Sequence, residues 1–440
     1  MENSVVKFTQ TITFKGFVIG IITLLLLIPG VMIQGLILER QHRSEEAVAK
    51  INAKWSNAQT LCGPILTVPY STIALERKGQ QKAIQNEMNF TPDVLTIKVK
   101  LYPEERYYGI YKAILYRSEI DLFGEFDSID FSDLIDGTFD FKKANIRFGL
   151  SDLKGVTDDI EFVFNSKKYM ADATGEKDNN LDKILTVAIN GADIPESEEK
   201  MTFSCKIALK GSGGISFIPV GKTTAVEVQG AWTSPGFIGG FSPDYTVDKD
   251  SFYAKWNILR FNRNIPDTWK NDSVSSFNDT SFGVNLVETV DHYLRNMRSA
   301  KYALMFIALT FVVFFFVEIL TLKRIHPIQY LLVGIALILF YSLLLSLSEQ
   351  LNFALAYLIA SAATIGLITA YAYSVFKHKP QAGILMVILI GLYMFLYVIL
   401  QLEDRALMIG SIGLFLILAI IMYISRKVSW YKTSKEENVM

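Results

Sequence analysis

One stretch constrains this chain more than any other: residues 16–38, GFVIGIITLLLLIPGVMIQGLIL, carry no charge. About 20 mostly apolar residues cross a hydrocarbon core as a helix. A cleaved signal peptide has a shorter apolar region, about 7–15 residues, followed by small residues. This run is longer and ends in Glu39 and Arg40, so it reads as an uncleaved anchor. Pro29 interrupts it, which membrane helices tolerate. Five more such runs follow Lys301, at residues 302–322, 328–347, 353–376, 382–402 and 406–425. The breaks between them, KRIHP, SEQLN, KHKPQ and EDR, are short enough to require antiparallel neighbours. The expected fold is a membrane protein with six transmembrane helices, one plus five, and a large extracytoplasmic domain inserted after the first.

Basic residues in short loops set the orientation. With residues 1–15 in the cytoplasm, the inner segments hold Lys7, Lys15, Lys323, Arg324, Lys377, Lys379, Arg426, Lys427, Lys432 and Lys435. The outer short loops hold Glu349, Glu403, Asp404 and a single base, Arg405. Ten bases inside against one outside predicts both termini, 1–15 and 426–440, in the cytoplasm. Residues 39–301 then lie outside.

That outer segment has 32 basic and 37 acidic residues, a net charge of −5. Its alternating and β-branched runs, such as VLTIKVKLY, IEFVFN, MTFSCKIALKG and TAVEVQGAW, are punctuated by Gly, Asn, Asp and Pro. They read as short strands and turns, a mainly-β, sandwich-like domain. The run at residues 107–126 reads as one continuous strand region. Residues 40–55 lack breakers and extend the first helix outward. The polar stretch 168–182 reads either as a joint between two β-rich halves or as a surface loop. GSGGISFIPVGK lacks the GK[ST] ending of a phosphate loop and reads as a glycine turn between strands. Cys62 and Cys205 form either a disulfide or two separate buried thiols.

No Lys/Arg stripe with interleaved aromatics suggests nucleic-acid binding. No GxSxG elbow, HExxH array or Cys/His spacing suggests a catalytic centre, cofactor or metal. The one ionisable residue inside a span is Glu318. Such residues are costly in a bilayer and often functional. The residues favour pairing of Glu318 with Lys323 or Arg324 at the helix end, against an ion or proton pathway. In the turn that follows, Lys323 and Arg324 sit at the lipid surface. Pro327 is suited to the first turn of the next helix, and Gln329 and Tyr330 to the interface.

The segment RIHPIQYLLVG, with Arg324, His326, Pro327, Gln329 and Tyr330, and the ending LLLSLSE, with Glu349, closely resemble the CreD family. So do the anchor ending LER, the motif LCGPILTVPY with Gly63, Pro64 and Pro69, and VSWY after the last span. The resemblance implies a bacterial cytoplasmic-membrane protein of cell-envelope integrity with a periplasmic β-rich domain. It also implies links to envelope stress, colicin tolerance and a two-component regulon, with no catalytic residues to carry over. The expected function is non-enzymatic: the outer domain binds or monitors an envelope protein, lipid or glycan, and the bundle anchors it in the bilayer. Two alternatives stay open, a transporter or channel with Glu318 lining a path, and a membrane enzyme acting on an envelope lipid or polymer. Oligomeric state is not readable.

Overall fold

The computed structural model describes residues 12–75, 81–129, 131, 137–174, 183–194, 199–271, 277–286, 292–321, 325–402 and 405–426. They form two compact units: a helical one from residues 1–44 and 290–440, and a β-rich one from residues 45–289.

The chain begins with α1 (Ile12–Leu25) and α2 (Leu27–Trp55). Only Leu26 separates them, and it keeps helical hydrogen bonds, its N–H to Ile22 and its carbonyl to Gly30 N. The interruption follows from Pro29, which has no N–H to offer the carbonyl of Leu25, four residues back. Helix α2 runs through Trp55, as the absence of breakers over 40–55 predicts.

Later come α3 (His292–Lys301), α4 (Ala303–Thr321), α5 (Pro327–Ser348), α6 (Phe353–Phe376), α7 (Lys379–Gln401) and α8 (Ala406–Ser425). Four helices are long and apolar enough to cross a membrane: Phe14–Trp55, α5, α6 and α7. A fifth is obtained if α3 and α4 count as one span with a 46° bend. The apolar helix Met408–Tyr423 falls short of that length. Helix α3 is a difference from the sequence reading, which placed residues up to 301 in the β-rich domain. Its sequence HYLRNMRSAK is amphipathic, and it buries Tyr293, Asn296, Ser299 and Ala300. The helical core holds Phe311, Phe340, Leu344, Ala356, Ala360, Leu385 and Leu396, each at most 1% exposed. Small residues such as Ala356 and Ala360 let helices approach closely where lipid leaves no hydrophobic driving force.

The β-rich unit has eighteen strands among the described residues. The first nine are β1 (Gln59–Leu75), β2 (Gln81–Phe90), β3 (Val94–Tyr108), β4 (Tyr111–Phe126), β5 (Thr138–Phe139), β6 (Asn145–Leu150), β7 (Glu161–Phe164), β8 (Lys167–Met170) and β9 (Asp172–Thr174). Then follow β10 (Lys183–Ala188), β11 (Met201–Ser212), β12 (Gly214–Phe217), β13 (Thr223–Gly230) and β14 (Pro235–Gly239). The last are β15 (Asp244–Val247), β16 (Phe252–Leu259), β17 (Thr268–Lys270) and β18 (Phe282–Leu286). One sheet runs β14-β18-β12-β1-β6-β10-β9, with β2 and β5 also paired to β1 and β17 paired to β2; the other runs β15-β16-β13-β3-β4-β11-β7-β8.

The two sheets share one core, to which Phe148, Phe217 and Phe282 of the first and Phe126, Phe162, Phe203 and Trp256 of the second contribute. The alternation that predicts strands is what fills it: along β16, every second residue from Phe252 to Ile258 is buried and the rest face solvent.

Two sequence readings change in detail. The run 107–126 is not one strand region: a two-residue turn at Gly109 and Ile110 separates β3 from β4, with Tyr108 opposite Tyr111. Gly109 has φ +63°, the conformation a type II′ turn needs at its first central residue. Residues 167–174 are strands β8 and β9, not loop, and the chain before and after 168–182 builds the same two sheets. The glycine turn in GSGG joins β11 to β12 as read. Cys62 on β1 and Cys205 on β11 are buried and not bridged.

Candidate functional site

The polar groups of the helical unit gather at the two ends of α5. At its N-terminal end lies Glu318 of α4, 6% exposed. Its Oε1 accepts from the ammonium of Lys15 on α1 and from the backbone N–H of Ile325 at 3.1 Å. Its Oε2 accepts from the Tyr330 hydroxyl at 3.0 Å. The Tyr330 ring packs edge-on against Phe311 and Phe314, with centroids 5.6 and 6.1 Å away. A buried carboxylate is tolerable only when paired and hydrogen-bonded, and here three donors come from two segments, α1 and the start of α5.

The sequence placed the partner of Glu318 at Lys323 or Arg324; both lie outside the described residues, and the partner found is Lys15. A signal existed. Lys15 precedes the first apolar run and Glu318 nears the end of the second, so antiparallel spans bring them to one level.

The rest of RIHPIQY starts α5. His326 is the N-cap, with Pro327 in the first turn. The Gln329 side chain accepts from His326 N–H at 3.0 Å, and His326 Nδ1 accepts from Ile328 N–H at 3.4 Å. This reciprocal arrangement satisfies donors that a helix start otherwise leaves unpaired.

At the other end of α5, Glu349 accepts from the Tyr293 hydroxyl at 3.2 Å and lies 4.0 Å from the Arg40 guanidinium. Beside it, Asn296 donates to Ser348 Oγ at 2.7 Å. Among the described residues, Asn296 Oδ1 and Ser299 Oγ are buried without a hydrogen-bond partner. Between the two ends, Phe340, Tyr357 and Tyr393 stack edge-on, and the Tyr357 hydroxyl donates to the Tyr393 carbonyl at 2.7 Å. Neither Tyr293 nor Arg40 was singled out from sequence.

Gly63, Pro64 and Pro69 belong to β1, in the other unit. Gly63 has φ +111°, and a Cβ there would meet the Arg147 carbonyl oxygen at 2.8 Å. The β1–β6 ladder shifts register between Cys62 and Ile65, so the Gly-Pro pair forms an irregularity in the strand. Before it, residues 59–61 pair with β12; after it, residues 66–75 pair with β2. Pro69 accepts at its carbonyl from Asp140 N–H at 2.8 Å. These motif residues shape a strand.

Elsewhere in the β-rich unit, Asp193 is bonded by the Lys167 ammonium and the Tyr169 hydroxyl. Lys167 above all, with Tyr169, holds its carboxyl below the usual range. Burial pushes the Cys205 thiol up to about 12, far from the thiolate that nucleophilic chemistry requires. Among the described residues no group of three or more His, Cys, Asp or Glu is arranged to hold a metal ion.

The model of a protein family described as "Inner membrane protein CreD" matches residues 11–431. The Inner membrane protein CreD of Escherichia coli (strain K12) is 29% identical over 423 residues, which cover 93% of this chain and 92% of that relative.

Proposed function

Because this chain belongs to the CreD family of inner membrane proteins, we propose that it is a non-enzymatic protein of cell-envelope integrity whose β-rich domain faces the periplasm. That domain binds or monitors an envelope protein, lipid or glycan, and the helices anchor it. In this reading the chain spans the bilayer six times with both termini in the cytoplasm, supported by the ten-to-one basic asymmetry of its short loops. The 302–322 and 406–425 segments count as spans, the first joined to α3 by a 46° bend and the second short.

One observation favours an anchor over a transporter: all the described partners of Glu318 are structural. Its charge is matched by Lys15 and its oxygens are occupied by Ile325 N–H and Tyr330. A group that ties α1, α4 and the start of α5 together has no spare site for a travelling ion.

The test is crosslinking in intact cells with photoreactive residues in the β-rich domain of the full chain, alongside complementation of a deletion strain by Glu318→Gln. A specific envelope partner with retained protection by Glu318→Gln supports the proposal. Normal abundance of the variant with complete loss of protection rejects it and favours transport.

A further inference from the structure

The outward face of the sheet that holds β3, β4 and β11 is charged, and register pairs its charges. One row crosses six strands. Asp244 lies opposite Lys255, Lys255 opposite Glu227, Glu227 beside Lys98, Lys98 opposite Asp121 and Asp121 opposite Lys206. The signs alternate at every step. In the next row Lys100 lies opposite Glu119. Opposite charges at facing positions stabilise a sheet, and like charges destabilise it.

One facing pair breaks the rule. Arg117 of β4 lies directly opposite Lys210 of β11, so two cations stand with their Cβ atoms about 5 Å apart. The third member of their row is Tyr102, which carries no charge. The nearby acids are already engaged. Glu104 accepts from Arg106 at 3.3 Å, and Glu119 from the Tyr102 hydroxyl at 3.3 Å. The Asp152 carboxylate accepts from the backbone N–H groups of Asn57 and Lys154. Among the described residues, no carboxylate pairs with Arg117 or Lys210.

What gathers these cations is Trp55. Lys210 Nζ lies 4.7 Å from the centroid of its ring, the Arg117 guanidinium 5.8 Å and that of Arg106 4.3 Å. Its indole N–H donates to the Tyr116 carbonyl at 3.4 Å, which fixes the ring beside β4. An aromatic face attracts cations but has no net charge, so it collects them without neutralising them. A guanidinium held against a ring still has N–H donors in its own plane to offer an oxyanion.

We propose that Arg117 and Lys210, backed by Trp55, form a binding site for a phosphate group carried by a ligand. Their two uncancelled charges match a doubly charged phosphate monoester better than a single carboxylate. Arg117 also offers the paired N–H donors that phosphate oxygens accept. Tyr102, 49% exposed in the same row, flanks the site with an aromatic surface for the group that carries the phosphate. The site gives the β-rich domain a ligand class, and so rests on the reading of that domain as a binding module.

The experiment is equilibrium dialysis of radiolabelled orthophosphate against the purified full chain in phosphatidylcholine nanodiscs at fixed ionic strength. The expected result is saturable binding, weakened about tenfold by Arg117→Gln or Lys210→Gln, as loss of a charged hydrogen-bond partner implies. Lys210→Arg, which keeps the charge, retains binding. So does Lys206→Gln, on the same face but 91% exposed and opposite Asp121. Phosphatidic acid then replaces part of the phosphatidylcholine. Loss of orthophosphate binding to the parent chain marks a lipid headgroup as the source of the phosphate, and unchanged binding marks a soluble ester; both uphold the site. Three results overturn it: no saturable binding, equal displacement by acetate, or binding that survives Arg117→Gln combined with Lys210→Gln. Failure to bind phosphate alongside a specific crosslinked envelope partner strikes this site and leaves the domain's binding role standing.

Discussion

At the scale of single residues, Glu318 and Lys15 make the strongest claim. Removing one member of a buried pair strands the other, at about 3–5 kcal/mol, whereas neutralising both is far milder. Lys15→Met should therefore lower the thermal stability of the purified full chain more than Lys15→Met with Glu318→Gln does. A double-mutant cycle should give a coupling of about 0.5–3 kcal/mol, and additive losses would mean the two side chains do not interact. Glu318→Gln alone keeps one acceptor for Tyr330 or Ile325 and leaves the unpaired charge on Lys15, the more exposed partner at 26%, so it should cost less than Lys15→Met.

Asp193 offers a test by pH. Its folded pKa is depressed, chiefly by Lys167, so its contribution is present above the unfolded carboxylate value of about 3.9 and lost as pH falls through the folded one. The stability gap between the parent chain and Asp193→Asn should be widest near neutrality and close on acidification below about pH 4; a gap independent of pH would exclude an ionic role. At this scale the sequence was partly legible. Glu318 stood out because it is the one acid within a span. Lys15 did not, because pairing across 303 residues leaves no local pattern.

At the scale of elements, strand and helix types were readable while their partners were not. The strand runs and the start of α5 follow from side-chain period, Pro327 and turn chemistry. The β3–β4 turn escaped because Gly109 stands alone between Tyr108 and Ile110, with no second turn-forming residue beside it. The amphipathic α3 escaped because its apolar residues are too few to suggest a span. The α5 cap should matter modestly: Gln329→Ala removes one half of the reciprocal pair and should cost about 0.5–2 kcal/mol, seen as a lower unfolding temperature with unchanged helix content. Gly63→Ala is more severe, since it adds a Cβ 2.8 Å from a backbone oxygen at φ +111°. Strain of that kind costs about 1–3 kcal/mol before the clash is counted, and a variant as stable as the parent would show that β1 takes another path.

At the scale of the whole molecule, the proposed topology makes a plain prediction. Single cysteines at residues 348–352 and 403–405 should react with an impermeant reagent in intact spheroplasts, and those at 377–380 only after the membrane is opened. Labelling of 377–380 from outside would invert the arrangement. Apolar length and basic-residue placement made the helices legible. What no local pattern could reveal is the order of the sheets, which depends on strands distant in sequence. Gln59 of β1 lies beside Ile215 of β12 in a parallel pair, and β12 in turn holds β18, which ends at Leu286. The sheet begun by the first strand is therefore closed by the last. Synthesis at about 5–20 residues per second leaves β1 waiting tens of seconds for those partners. Throughout that delay β2 and β6 can already cover most of β1, while residues 59–61 keep the edge that faces β12 unpaired.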